Sequence, residues 1–292
     1  MKIGWPKRRV SVELEPDAAA SVAPVRRGPA FPTGWARLAP VRALREGIQV
    51  VGVKNLLRKE LALEVYGLDE LRQLQGPALI MANHASHLDT AVLLSTLPPE
   101  RRRRTAVGIE AIYFFDGWWR ASGSAIVFDT FPIERSADVL TSTPARLLGT
   151  GWTVVVFPEG TRSRDGFVGS FRTGAAELAV ASQVPVIPVG ILGTYAAMPR
   201  GSNWPVPGRP RVSVRYGPPI RSQPGELPED LTQRIFAAVK KLLAEDAASW
   251  WETQRGSVDM PEPPASSWRR IWQQSDSPVK GGKPQDVQIW RR

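Results

Sequence analysis

The sequence predicts an α/β fold, a single domain in which a mixed, mostly parallel sheet is flanked by helices. Three observations lead there. Short apolar runs bounded by turn residues alternate with longer stretches of helical periodicity, the order expected when helices cross between strands of one sheet. The 292 residues and their 42% hydrophobic content suffice for one sizeable core. The aperiodic, proline-containing stretches lie at the two ends, so one domain with tails is the simplest organisation.

Residues 1–34 mix Pro16, Pro24, Pro29 and Pro32 with small and charged residues and show no sustained period, which predicts a mobile tail. Lys7, Arg8 and Arg9 are not followed by the apolar stretch of a secretory signal, so the expected location is cytoplasmic. The domain is placed at 35–250. Residues 41–63 open it with helical periodicity: Val41, Leu44, Ile48 and Val51 form one stripe, and Val50, Val53, Leu57 and Leu61 another. A helix apolar on two faces needs cover. With Arg42, Arg45, Lys54, Arg58 and Lys59 around the stripes it suits a membrane surface, and burial against the domain is the alternative. Gly47 and Gly52 weaken either helix.

Strands follow at Ala78–Ala82, Thr105–Ile109, Thr153–Phe157, Val186–Leu192 and Arg211–Tyr216. Helices are expected at Leu88–Leu97, Ser136–Gly149, Ala175–Gln183 and Leu231–Glu245, with Arg101–Arg104 in a short loop. Phe114, Phe115, Trp118 and Trp119 suit either core packing or a lipid-facing groove. Residues 251–292 form a second mobile tail. Its Trp268, Trp272 and Trp290 stand beside Arg269, Arg270, Arg291 and Arg292, a pairing that suits an apolar and anionic interface or a solvated tail. No run of about eighteen apolar residues occurs, so membrane contact would be peripheral, from the cytoplasmic face.

Lys and Arg number 38 against 28 Asp and Glu, and the excess of +10 favours phosphate-rich partners without choosing among membrane, nucleic acid and anionic substrates. The absence of cysteine excludes disulfides, a thiol nucleophile and thiolate metal sites.

The two histidines of the chain, His84 and His87, both lie in Asn83-His84-Ala85-Ser86-His87-Leu88-Asp89, directly after an expected strand. An imidazole can take a proton from an attacking hydroxyl, and a carboxylate on its other nitrogen fixes the tautomer. Ser86 and Asp89 also read as a helix-capping box, and both roles can hold together. After the strand at Thr153 comes Phe157-Pro158-Glu159-Gly160-Thr161-Arg162-Ser163, a loop exposing an acid, a flexible glycine and a cation. Phe171-Arg172-Thr173-Gly174 then opens a helix whose amides favour anions. Arginine suits phosphate because its planar fork donates two bonds at once, although single loop arginines are often only solvated.

These residues resemble the glycerolipid acyltransferase superfamily, particularly the 1-acyl-sn-glycerol-3-phosphate acyltransferases, over about residues 60–222. The N-H-x4-D block maps onto Asn83, His84 and Asp89, and implies His84 as general base with Asp89 orienting it. Phe131-Pro132-Ile133-Glu134-Arg135 is similar to the second block and implies Arg135 at the acceptor's phosphate. The third block is matched in full at Phe157–Ser163, so Glu159, Gly160, Thr161 and Arg162 are implied in the phosphate site. Arg172 replaces the family's usual lysine, and Val184-Pro185-Val186-Ile187-Pro188-Val189 resembles the fourth block.

The resemblance implies an acyltransferase fold and the transfer of a fatty acyl group from acyl-CoA or acyl carrier protein to the free hydroxyl of 1-acyl-glycerol 3-phosphate, forming phosphatidic acid. Another lysolipid or glycerol phosphate acceptor is the alternative, as is an idle lipid-binding protein. Direct attack needs no enzyme nucleophile, consistent with the lack of cysteine and of a G-x-S-x-G elbow. No cofactor or metal is expected, since H-x-x-H with one aspartate lacks the acidic partner of helical zinc motifs and no nucleotide-binding glycine loop occurs. Nucleic acid is not an expected partner, because no recognised binding motif accompanies the charge.

Overall fold

The computed structural model describes residues 33–110, 118–133 and 143–247. Both expected tails, Arg135, and the first part of the helix expected from Ser136 lie outside the described residues, as do the side chains of Phe114, Phe115, Trp118 and Trp119.

Among the described residues the sheet has seven strands: β1 (Ala62–Tyr66), β2 (Ala78–Ala82), β3 (Thr105–Glu110), β4 (Thr130–Ile133), β5 (Thr153–Val156), β6 (Val186–Leu192) and β7 (Arg211–Tyr216). They run in the order β1-β7-β6-β2-β5-β3-β4. Every neighbouring pair is parallel except β6 with β7. The central strands read as unbroken apolar runs because both faces are covered. Ile80 and Ala82 of β2 enter one core with Val107, Val155, Ile187 and Val212, while Leu79 and Met81 enter the other with Phe131, Val154 and Val186. That alternation is the two-residue period of a pleated strand.

The five expected strands are present. The two that were not expected, β1 and β4, are at the sheet's edges, where the signal is weakest. β1 is half-exposed along its length, and the helical period of 41–63 was read into its start. β4 contains Pro132, which lacks a donor and is tolerated because the strand pairs on one side only.

The first core is covered by α2 (Lys54–Glu60), α3 (Leu68–Gln73) and α4 (Leu88–Thr96). The second is covered by α7 (Thr143–Gly149), α8 (Gly174–Ser182) and α10 (Pro228–Ala247). Two of the remaining helices are short: α5 (Pro99–Arg102) and α9 (Thr194–Ala197). The expected loop at Arg101–Arg104 therefore begins as α5. Its arginines serve the fold: Arg101 donates to Leu74 O and Thr153 Oγ1, and buried Arg102 pairs with Glu46 at 2.7 Å.

The amino-terminal helical segment combines both readings of residues 41–63. It runs as α1 (Ala39–Gly47), a π-helical stretch Ile48–Val53, and α2. Leu57 and Leu61 are buried, whereas Leu44 (55% exposed) and Val51 (69%) face outward. The amino-terminal half docks through polar groups. Buried Arg45 and Gln49 donate to the carbonyls of Ala125, Ile126 and Val127, which end α6 (Trp118–Phe128), and Arg45 also meets fully buried Asp129 at 3.2 Å. Those side chains satisfy terminal carbonyls that have no partner within their own helix.

Because β1 is parallel to β7 and β7 antiparallel to β6, β1 starts at the end of the sheet where β2, β5 and β6 finish. The segment 39–60 therefore delivers its carboxyl end to that same side, where Arg209 donates to Arg58 O at 3.1 Å.

Candidate active site

β2 is flanked by β6 and β5, so three consecutive parallel strands release their loops side by side, and ligands of open α/β sheets bind at such carboxyl ends. The loop after β2 begins with Asn83. Its side-chain amide donates to Ile191 O and accepts from Ile191 N–H, both at 2.8 Å. Asn83 thus extends the pairing with β6 by a side chain while the main chain turns away.

Asp89, in the first turn of α4, is fully buried. Its Oδ2 accepts from the amides of Ala85 (2.7 Å) and Ser86 (2.8 Å) and faces His84 Nδ1 at 2.8 Å. The bond from Ser86 N–H is the reach-back half of a capping box. The other half is replaced: the Ser86 hydroxyl donates to Met198 O at 2.9 Å and accepts from Leu88 N–H at 3.4 Å, while the Asp89 amide donates to the Ser86 carbonyl. Asp89 therefore both caps the helix and orients the histidine. With a carboxylate on Nδ1, that nitrogen carries the hydrogen and Nε2 keeps its lone pair for substrate. The His84 side chain is 19% exposed, and its ring stacks on Phe157 at 4.3 Å between centroids.

The loop after β5 holds the His84 main chain from both sides. Ser163 N–H donates to His84 O at 2.7 Å. The Glu159 carboxylate accepts from His84 N–H through Oε1 (2.7 Å) and from Gly169 N–H through Oε2 (2.8 Å). Glu159 is buried, and burial pushes its carboxyl up to about 7 against the pull of those two amides. Both of its oxygens face donors of the chain itself, so its observed contacts join the two loops.

Gly160 has φ +74°, a conformation glycine adopts without strain, and the Arg172 guanidinium lies where a β-carbon would stand, 2.7 Å from Cζ. The Arg172 amide also donates to Pro158 O at 3.0 Å. Thr161 is exposed, and Arg162 is partly buried with an Nε that has no hydrogen-bond partner among the described residues. The structure thus brings together His84, Asp89, Glu159, Gly160, Thr161, Arg162 and Arg172. Among the described residues no three His, Asp or Glu side chains converge as a metal site would require.

His87 stays solvent-accessible outside the His84–Asp89 pair. Its imidazole is held well below its ordinary value, first by desolvation and then by Arg162, His84 and Arg200, against Asp89. Three contributors have roles that their residue type and position do not reveal. Phe157 opens the third block just after β5 but acts as the surface under the His84 ring, Met198 supplies only a carbonyl, and Arg200 lies outside every motif block, although Pro199-Arg200-Gly201-Ser202 carries a readable turn signal.

The Acyltransferase family profile matches residues 62–192. The chain is 35% identical over 141 residues to a chloroplastic 1-acyl-sn-glycerol-3-phosphate acyltransferase of Arabidopsis thaliana, covering 48% of this chain and 39% of that one. It is 31% identical over 228 residues to 1-acyl-sn-glycerol-3-phosphate acyltransferase alpha of Mus musculus, covering 69% and 74%. It spans about two fifths of the plant relative and about three quarters of the mouse one. The crystal structure of the 1-acyl-sn-glycerophosphate acyltransferase of Thermotoga maritima shares the fold, with a TM-score of 0.57 at 22% identity over 75% of this chain and 88% of that one.

Proposed function

This chain belongs to the acyltransferase family, and from that premise we propose that it moves a fatty acyl group from a thioester donor to the free hydroxyl of 1-acyl-glycerol 3-phosphate, forming phosphatidic acid. The observation that carries the reading is the 2.8 Å pair of His84 Nδ1 and buried Asp89 at the carboxyl end of β2, with both main-chain groups of His84 held by the loop after β5.

In this mechanism His84 Nε2 takes the proton of the acceptor hydroxyl as its oxygen attacks the thioester carbonyl carbon. The tetrahedral intermediate collapses, the carbon–sulfur bond breaks, and the leaving sulfur takes the proton back from the imidazolium as the thiol. Asp89 stabilises that imidazolium without accepting its proton. A positioned base of this kind contributes roughly 10²–10⁴ in rate. Arg162, Arg172 and Arg135, with the backbone at Gly160 and Thr161, hold the acceptor's phosphate so that its hydroxyl lies at Nε2, which lowers the barrier by proximity. Glu159 serves that site through the loops it joins. The donor is acyl-CoA or acyl carrier protein.

The acceptor is an amphiphile, and we place the chain at a membrane surface. Support comes from outward-facing Leu44, Val50, Val51 and Leu56 beside exposed Arg58 and Lys59, on a segment whose carboxyl end lies at the same end of the sheet as the site. Among the described residues no helix is long and apolar enough to cross a membrane. The test is to incubate the full chain with a long-chain acyl-CoA and lysophosphatidic acid in detergent and separate the lipids. Phosphatidic acid that accumulates with the acceptor supports the reading. Hydrolysis of the thioester without acceptor would replace it with a thioesterase.

A further inference from the structure

Two arginines stand at the outer edge of the candidate site, and one of them belongs to none of the blocks that carry the resemblance. Arg162 directly precedes Ser163, whose amide is bonded to His84 O. Arg200 lies two residues after Met198, whose carbonyl receives the Ser86 hydroxyl at 2.9 Å. Both cations therefore extend from loops fastened to the His84 loop within one or two residues of the fastening. Arg200 occupies a turn closed by a 3.1 Å bond from Ser202 N–H to Pro199 O, with Gly201 at φ +90°. A third turn residue in that conformation is strained for anything but glycine, so the turn is built to hold its shape and present the residue before it.

His87 lies within the field of both arginines, and it keeps solvent access. Burial is the first cause of its lowered value and the two arginines add to it, so a bound anion would offset the arginines' share. Neither Arg162 nor Arg200 is in an ion pair among the described residues. Arg200 itself is exposed. Two guanidinium groups without an acidic partner, both near enough to act on His87, suit an anion with several oxygens.

We propose that Arg200 is a phosphate-binding residue of this site, acting with Arg162 across His87 on a phosphate group of a substrate. The assignment rests on the acyl-transfer reading, in which phosphate can come from two sources, the acceptor's monoester and the phosphates of a coenzyme A donor. Full-length Arg200→Ala and Arg200→Lys are compared with the wild type while lysophosphatidic acid and acyl-CoA are varied in turn. Loss of a charge-assisted contact raises KM for one substrate roughly tenfold or more with kcat within about twofold, and lysine recovers part of it. A rise for lysophosphatidic acid assigns the acceptor's phosphate, and a rise for acyl-CoA assigns the donor's.

A second readout needs no turnover. With two histidines in the chain, imidazole NMR resolves His87, and His84→Ala assigns it. Arg200→Ala raises the His87 titration midpoint. Glycerol 3-phosphate or coenzyme A, whichever is the ligand, raises it in the wild type and less in Arg200→Ala. That NMR response without any acyl transfer would keep the phosphate site and remove the acyl-transfer reading. Unchanged KM for both substrates, with an unchanged His87 response to both probes, overturns the proposal.

Discussion

Replacing Glu159 with Gln changes one atom and separates two effects that the buried carboxylate combines. The site demands two acceptors, because Oε1 meets His84 N–H and Oε2 meets Gly169 N–H. Gln offers one acceptor and one donor, so one main-chain N–H faces its NH2 at a cost of about 1–3 kcal/mol, whereas the neutral acid held below about pH 7 keeps an acceptor for each amide because its hydroxyl oxygen can still accept. The carboxylate has its own penalty. Its folded-state value is raised from 4.5 to about 7 by burial, so its stabilising contribution is fully present below about pH 4.5 and is lost as pH rises through about 7. At roughly 1.4 kcal/mol per pH unit, that loss is about 3 kcal/mol. Gln does not titrate.

Urea unfolding of wild type and Glu159→Gln at pH 5 and pH 8 should therefore show the variant clearly less stable at pH 5, with the gap closing by about 2–3 kcal/mol at pH 8. At pH 7 the folded variant should lose roughly tenfold or more in kcat, because His84 has lost an anchor on its main chain. Parallel stability curves between pH 5 and pH 8 would refute the claim that a buried, titrating carboxylate joins the two loops.

Three further outcomes follow from the same contacts. Gly160→Ala puts a side chain at φ +74° and displaces the Arg172 guanidinium, so it should destabilise by roughly 1 kcal/mol in urea unfolding and raise KM for the phosphate-bearing acceptor more than it changes kcat. Arg45→Met takes the donor from Ile126 O at the end of α6, leaves Ala125 O with the Asp129 amide alone, and removes a partner of buried Asp129, and should lower unfolding free energy by about 3 kcal/mol. Leu44→Asp with Val51→Asp should abolish sedimentation with phosphatidylglycerol vesicles while far-ultraviolet circular dichroism stays unchanged, since each apolar side chain contributes about 1.5–3 kcal/mol when removed from water. Undiminished sedimentation would remove the outward face of this helix from the membrane.

The parts of the fold that were legible are those where local sequence and burial agree. β2, β5 and β6 are apolar on both faces and announce themselves, whereas β1 is half-exposed and β4 is interrupted by Pro132. In the segment 39–60 the apolar stripes were visible, but its buried docking face begins with Arg45 and Gln49, which composition assigns to solvent. The His84–Asp89 pair was legible because both partners lie within one turn and one strand end. Its supports were not: Asn83 reaches Ile191 and Ser86 reaches Met198 across more than a hundred residues. Glu159 was read as part of a phosphate site from its block, and no property of the residue type reveals that its partners are two main-chain amides.

The central claim is that His84 is the base for an acceptor hydroxyl attacking a thioester. It is tested most directly by following released thiol with a colorimetric reagent in wild type and His84→Ala, with and without lysophosphatidic acid. The chain has no cysteine, so the reagent responds to product alone. The account predicts acceptor-dependent release by the wild type and a loss of at least about 10² in His84→Ala. Equal acceptor-dependent release by both proteins would contradict it.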